Sequence, residues 1–181
     1  MNKVIFNAFH KRIMRFEKLH AHKAAKFLLL LIGFYILFTL IFRFVFSIQL
    51  IELWTAQITL KIFELLGYSG EIISGEPMQI IFPFIVVLIT ELCTGILEFS
   101  IVASAILATS EISWKKRIIG MIGAGIVTML FNFARITIVL LALISSGIAQ
   151  AELAHDLLFR ISLLIVIIGY YAVWFYLSVK K

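Results

Sequence analysis

Apolar residues run in long blocks from Lys26 to Val179, parted only by short charged or turn-forming stretches. Three blocks, 27–46, 118–144 and 155–177, reach the roughly 20 residues with which a helix crosses a hydrocarbon core at about 1.5 Å per residue. A fourth, 94–109, is apolar but rich in small residues (Gly95, Ser100, Ala103, Ser104, Ala105, Ala108), which suits close helix packing in lipid. The stretch 50–66 differs. Leu50, Leu53, Trp54, Ile58 and Ile62 fall at helical spacing, but Glu52, Gln57, Lys61 and Glu64 interrupt them, so an interfacial helix is expected rather than a span. Residues 67–83 are turn-rich, and the β-branched run before Glu91 reads as extended or re-entrant. A helix from Gln79 to Ser110 would measure about 48 Å, too long for a core of about 30 Å. The chain must therefore break, and Cys93-Thr94-Gly95 is the place.

The predicted fold class is all-α: a polytopic helical transmembrane bundle with an outer interfacial helix and a short irregular or extended segment before the Cys-bearing helix. Composition agrees, with 62% hydrophobic and 14% charged residues against about 45–50% apolar in soluble domains. Two regions are expected: a basic segment over 1–25 and a single transmembrane domain over 26–181, with 50–92 interfacial or re-entrant. The first region reads equally as an amphipathic helix on the membrane surface or as a solvated basic tail. The net charge of +6 does not point to nucleic acid, because the basic residues bunch at 3–26, 115–117 and 180–181. That bunching is a topology signal and places both termini and the 110–117 loop in the cytoplasm. The expected location is the cytoplasmic membrane, multi-pass.

Depth then brings scattered residues together. Counted at about 1.5 Å per residue from the nearest basic anchor, Arg135 lies about 27 Å up, Cys93 about 33 Å and His155 about 37 Å. All three fall near the outer side of the core. Cys93 is the only cysteine, which excludes an internal disulfide or a CxxC pair. A thiol attacks as thiolate, which a helix N-terminus and a nearby cation favour. An imidazole at that depth, His155, suits proton transfer. Its neighbour Asp156 either orients the ring or caps the last helix. Arg135 is forked and permanently charged, so it fits an oxyanion, a substrate carboxylate or the thiol itself. Asn132, one turn before it, either holds Arg135 or donates to the oxyanion, and the amides of Thr94 and Gly95 are further oxyanion donors. Glu98 is expected to form a structural ion pair with Arg135. His10, His20 and His22 have no acidic or cysteine partners at ligand spacing, and no HExxH occurs, so neither a metal nor another cofactor is expected.

The segments ELCTGILE around Cys93, NFARI with Asn132 and Arg135, and His155 ahead of the last apolar run resemble the exosortase/archaeosortase family over roughly 50–177. Thr94 stands where serine is commoner in that family. The resemblance implies a membrane cysteine protease/transpeptidase acting on membrane proteins that bear a C-terminal sorting signal: a short motif, a transmembrane helix and a basic cluster. It implies cleavage through a thioester and transfer to a lipid or glycan acceptor at the outer face. In these terms Cys93 is the nucleophile, His155 the acid/base, and Arg135 the stabiliser of intermediate or substrate. The rival reading is a non-catalytic transporter or assembly subunit in which Arg135 and Glu98 are only a buried pair.

Overall fold

A computed structural model describes residues 3–180, with side chains from Ala21 onward. The first element, α1 (Lys3–Phe44), is one continuous helix, so the backbone does not part the expected 1–25 segment from the first span. The side chains of 1–20, His10 and His20 among them, lie outside the described residues. Over 27–42 the helix carries no charged residue and its most hydrophobic window has no fully buried residue, as suits a helix largely surrounded by lipid. It meets the bundle along α3 (Ile96–Ala108). There Phe38 and Phe42 set their rings edge-on to Phe99, with centroids 5.8 and 6.0 Å apart.

The helix α2 (Ile48–Leu65) buries Thr55, Ala56, Thr59 and Phe63 and turns Lys61 and Glu64 outward. It is not among the helices long and apolar enough to cross a membrane. Beyond it the chain forms an antiparallel meander, β1 (Glu71–Ile73), β2 (Met78–Phe82) and β3 (Ile85–Ile89), in that spatial order. β3 falls within the stretch expected to be extended. β1 and β2 were not foreseen, because the glycines and prolines around them read as loop. β2 buries Met78, Ile80 and Phe82, an alternation that the apolar Ile81 between them masks in the sequence. They pack on Ala56 and Phe63 of α2 and on Ile136 and Leu140 of α4 (Trp114–Ser146).

Three helices are long and apolar enough to span: Ala21–Phe44, Trp114–Ser146 and Ile148–Val179. α3 is a shorter apolar helix between them. The last is a rod of α5 (Ile148–Leu163), a π-helical turn (Leu164–Tyr170) and α6 (Tyr171–Val179). The chain is thus a helical transmembrane bundle with a small sheet inserted between α2 and α3. The interval between the apolar blocks 118–144 and 155–177 holds a non-helical break only at Gly147, whose φ of 87° suits glycine. The final helix begins at Ile148 rather than near His155, since Ala149, Gln150, Ala151 and Glu152 include good helix formers that nothing interrupts.

At the end of the bundle away from the sheet the basic residues gather. Lys23 pairs with Glu111 at 3.0 Å, Lys116 donates to the Ser178 carbonyl, and Arg117 donates to the carbonyls of Leu107 and Ile112. The contact to Leu107 satisfies a carbonyl that the end of α3 leaves open. Nearby, a second core joins Val102, Ile106, Ala124, Val166 and Trp174. Tyr170 donates its hydroxyl to the Gly120 carbonyl at 2.7 Å, and Trp174 its indole N–H to Lys116 at 3.2 Å. A Cβ on Gly120 would run into the indole. Gly120→Ala is therefore expected to cost about 1–3 kcal/mol by overpacking, read as a lower thermal midpoint of the detergent-solubilised protein.

Candidate functional site

β3 leads directly into the site. Thr90 continues the extended backbone, Glu91–Cys93 form a 3-10 turn, and Gly95 takes a left-handed φ of 74° before α3 begins at Ile96. The Cys93 amide donates to the Thr90 carbonyl at 2.8 Å and the Thr94 amide to that of Glu91 at 3.1 Å. The buried Thr94 hydroxyl donates to the same Glu91 carbonyl at 2.6 Å and lies 3.4 Å from the Ile96 amide. Gly95 is required twice over, for its φ and because a Cβ there would sit 3.3 Å from Asn132. These constraints hold Cys93 just ahead of the helix. Its Sγ is partly buried and lies 3.7 Å from the Thr90 hydroxyl.

From the opposite side α4 brings Asn132 and Arg135, one turn apart on its buried face. Asn132 donates to the Cys93 carbonyl at 2.7 Å. Arg135 donates through Nη2 to the Leu92 carbonyl at 2.8 Å and to Asn132 Oδ1 at 2.9 Å, and through Nη1 to Glu98 at 3.2 Å. Arg135 and Glu98 are only 4% and 5% exposed, so the ion pair sits inside the bundle. Two consecutive carbonyls, those of Leu92 and Cys93, are thus tied to α4.

His155 stands apart. Its side chain is half exposed, its Nδ1 lies 3.6 Å from Asp156, and its ring stacks on Phe159 with centroids 6.3 Å apart. Phe159 in turn lies under the Arg135 guanidinium, 5.2 Å from ring centre to Cζ. No hydrogen bond joins His155 to Cys93 among the described residues; the two are linked through Phe159 and Arg135. His155 lines an open groove of about 470 Å³ with Ile85, Val139, Leu143, Ala151 and Asp156.

The sequence-predicted residues therefore divide. Cys93, Asn132, Arg135 and Glu98 form one hydrogen-bonded network flanked by Thr94 and Gly95, while His155 is one aromatic ring away. The Thr94 amide is committed to Glu91, so it is not the free oxyanion donor expected. The Gly95 amide has no partner among the described residues. Asp156 lies inside α5, whose N-cap is Gly147, and so does not cap it. Phe159 was missed, although it follows His155 by one turn on the same helical face. Among the described residues no three His, Cys, Asp or Glu side chains gather as metal ligands.

A further buried acid, Glu52 on α2, lies close to the turn. Burial raises its pKa above the usual 4.5, the Met78 backbone N–H works against this, and the carboxylates of Glu91 and Glu76 add to it. Glu76 also accepts from Gln49.

What these elements define is a polytopic membrane protein whose one thiol is positioned between the end of a sheet and the start of a helix by a buried arginine. The transmembrane exosortase family model matches residues 19–170, and the chain belongs to that family. No curated relative and no solved structure matches.

Two outcomes follow from the geometry. Glu98→Ala leaves the Arg135 charge buried and unpaired, with an expected loss of about 3–5 kcal/mol; Glu98→Leu with Arg135→Met should recover part of it in denaturation midpoints. An acid whose folded pKa is raised contributes stability that is fully present below its unfolded value and lost as pH rises through the folded one. Glu52→Gln should therefore raise the thermal midpoint at about pH 8 and leave it unchanged at about pH 4.

Proposed function

We propose that this exosortase is a cysteine transpeptidase that cleaves membrane proteins at a C-terminal sorting signal and passes them to a lipid or glycan acceptor. The observation that carries the reading is the setting of Cys93: a single thiol ahead of a helix N-terminus, its own carbonyl and the preceding one held by Asn132 and Arg135. That fixed backbone keeps Sγ in place, as covalent catalysis requires. In the first step Sγ bonds to the scissile carbonyl carbon and the thiol proton passes to His155. The C–N bond then breaks, and His155 returns the proton to the leaving amine. In the second step an acceptor hydroxyl or amine gives its proton to His155 and bonds to the acyl carbon, the C–S bond breaks, and His155 passes that proton to the departing Cys93 thiolate.

Arg135 has N–H groups beyond the three that bond Leu92, Asn132 and Glu98, and its charge favours both thiolate and oxyanion. The unpaired Gly95 amide is a second oxyanion donor. Clustering of basic residues at the opposite end of the bundle supports an outer-face site with both termini in the cytoplasm.

A non-catalytic role has one observation in its favour, the commitment of Arg135 to Glu98. The two readings part on Cys93→Ala, which should abolish removal of C-terminal segments in cells, scored by mass analysis of membrane-protein C-termini. Arg135→Lys, which keeps the charge and loses the fork, should lower it by about 100-fold. Unchanged processing in the alanine variant overturns the cysteine mechanism. A free carboxylate at every new C-terminus would make the protein a hydrolase. Because no other thiol is present, a membrane-impermeant thiosulfonate added to intact cells should label Cys93 from outside. Labelling from the cytoplasmic side alone overturns the topology.

A further inference from the structure

β3 is the last strand of its sheet. It pairs with β2 in the register Phe82–Ile85, Ile80–Val87 and Met78–Ile89, closed by the two residues Pro83 and Phe84. In a two-residue hairpin the closing residues exchange both hydrogen bonds, and this alternates along the ladder. The backbone groups of Ile85, Val87 and Ile89 therefore point to β2, and those of Val86 and Leu88 point away from it. Among the described residues no strand follows β3 on that side. Within a membrane protein such a row of donors and acceptors is satisfied only by water or by another chain.

Three observations place that edge in the site. The groove of about 470 Å³ begins at Ile85, has Val139 and Leu143 of α4 in its lining and is bounded by α5 through Ala151 and His155. β3 ends at Ile89, and the chain reaches Cys93 four residues later with Thr90 still extended. Ile89 and Cys93 both pack into the core that contains Ile136, so the end of the strand and the thiol lie against the same part of α4, while Ile85 at the start of the strand lines the groove together with His155.

From this placement we infer that the free edge of β3 is the substrate-docking strand: an extended segment of the target protein adds to the sheet as a fourth strand. Its backbone pairs with Val86 and Leu88, its alternate side chains enter the apolar groove, and its scissile bond lies between Cys93 and His155. The inference rests on the transpeptidase reading above. If the target's transmembrane helix follows the cleaved bond, the segment runs toward the membrane as β3 does toward Cys93, so the addition is parallel. Pairing through main-chain groups leaves sequence preference to alternate side chains. A proline at Leu88 deletes one outward N–H while keeping the ladder to β2, since prolines are tolerated on sheet edges.

The test starts from a membrane protein that accumulates uncleaved in Cys93→Ala cells. A synthetic peptide covering the ten or so residues before its cleavage site is made with a single N-methyl group moved along the backbone, and each peptide competes for processing by the full-length protein in nanodiscs. Methylation at every second position should weaken competition by about tenfold, the worth of one hydrogen bond, and intervening positions should change it little. Leu88→Pro should weaken the unmodified peptide to a similar extent while leaving the thiosulfonate labelling rate of Cys93 unaltered. Competition with no two-residue alternation, or a Leu88→Pro protein that binds the peptide normally, overturns edge docking and leaves the cysteine mechanism standing. If no protein accumulates in Cys93→Ala cells, the transpeptidase reading itself fails, and the docking strand with it.

Discussion

The bond from Arg135 to the Leu92 carbonyl is the constraint on which the arrangement around Cys93 depends. A guanidinium is forked and planar, so it can bond a carbonyl, an amide oxygen and a carboxylate at once with little further ordering. Arg135 does this, to Leu92, Asn132 and Glu98, and thereby joins the 3-10 turn, α4 and α3 at one buried point. A charge so deeply buried is costly unless it is paired and hydrogen-bonded. The network is satisfied as a whole, and it fails as a whole if any member is removed. That cooperativity keeps a short irregular segment of backbone in a single conformation inside a bundle of helices.

The sheet supplies what helices alone would not. A helix running into the thiol from its N-terminal side would place Cys93 in mid-helix, where neighbouring turns enclose the backbone. An extended approach along β3 instead brings Cys93 to the mouth of α3 with its carbonyl free to be held from α4. The inward residues of β2 seat the sheet on α2 and α4 together, so the sheet's position follows that of the helix that carries Arg135. Phe159 extends the same logic to α5, laying one aromatic face under the guanidinium and stacking the other partner, His155, beside it.

Much of this was legible in the sequence, for reasons that differ by element. The three long apolar helices follow from run length, and the break at Cys93 from the length of a helix that could not fit. Depth placed Cys93, Arg135 and His155 toward one side of the membrane and left open which of them touch. Depth could not give the rotation of each helix, so it did not reveal that Phe159 intervenes between His155 and Arg135. β1 and β2 were hidden because Gly70, Gly75 and Pro77 break the stretch into fragments too short for periodicity to register. The early start of α5 was hidden because Gly147, Gln150 and Glu152 interrupt the apolar run, although the residues after Gly147 favour a helix.

The joint at Gly147 has its own bearing on how the site can vary. An ordinary loop absorbs added residues without moving the elements it joins, because the slack stays at the surface. Here a single residue separates two long helices, so the chain has no slack there. One residue added at the start of α5 would turn everything beyond it by about 100° and shift it by about 1.5 Å, carrying the imidazole off the groove unless the whole rod repacked. Gly147 thus works as an index mark: the count of residues from it to His155 sets the angular position of the imidazole relative to the buried cation, and that count is free to change only in steps that complete a helical repeat.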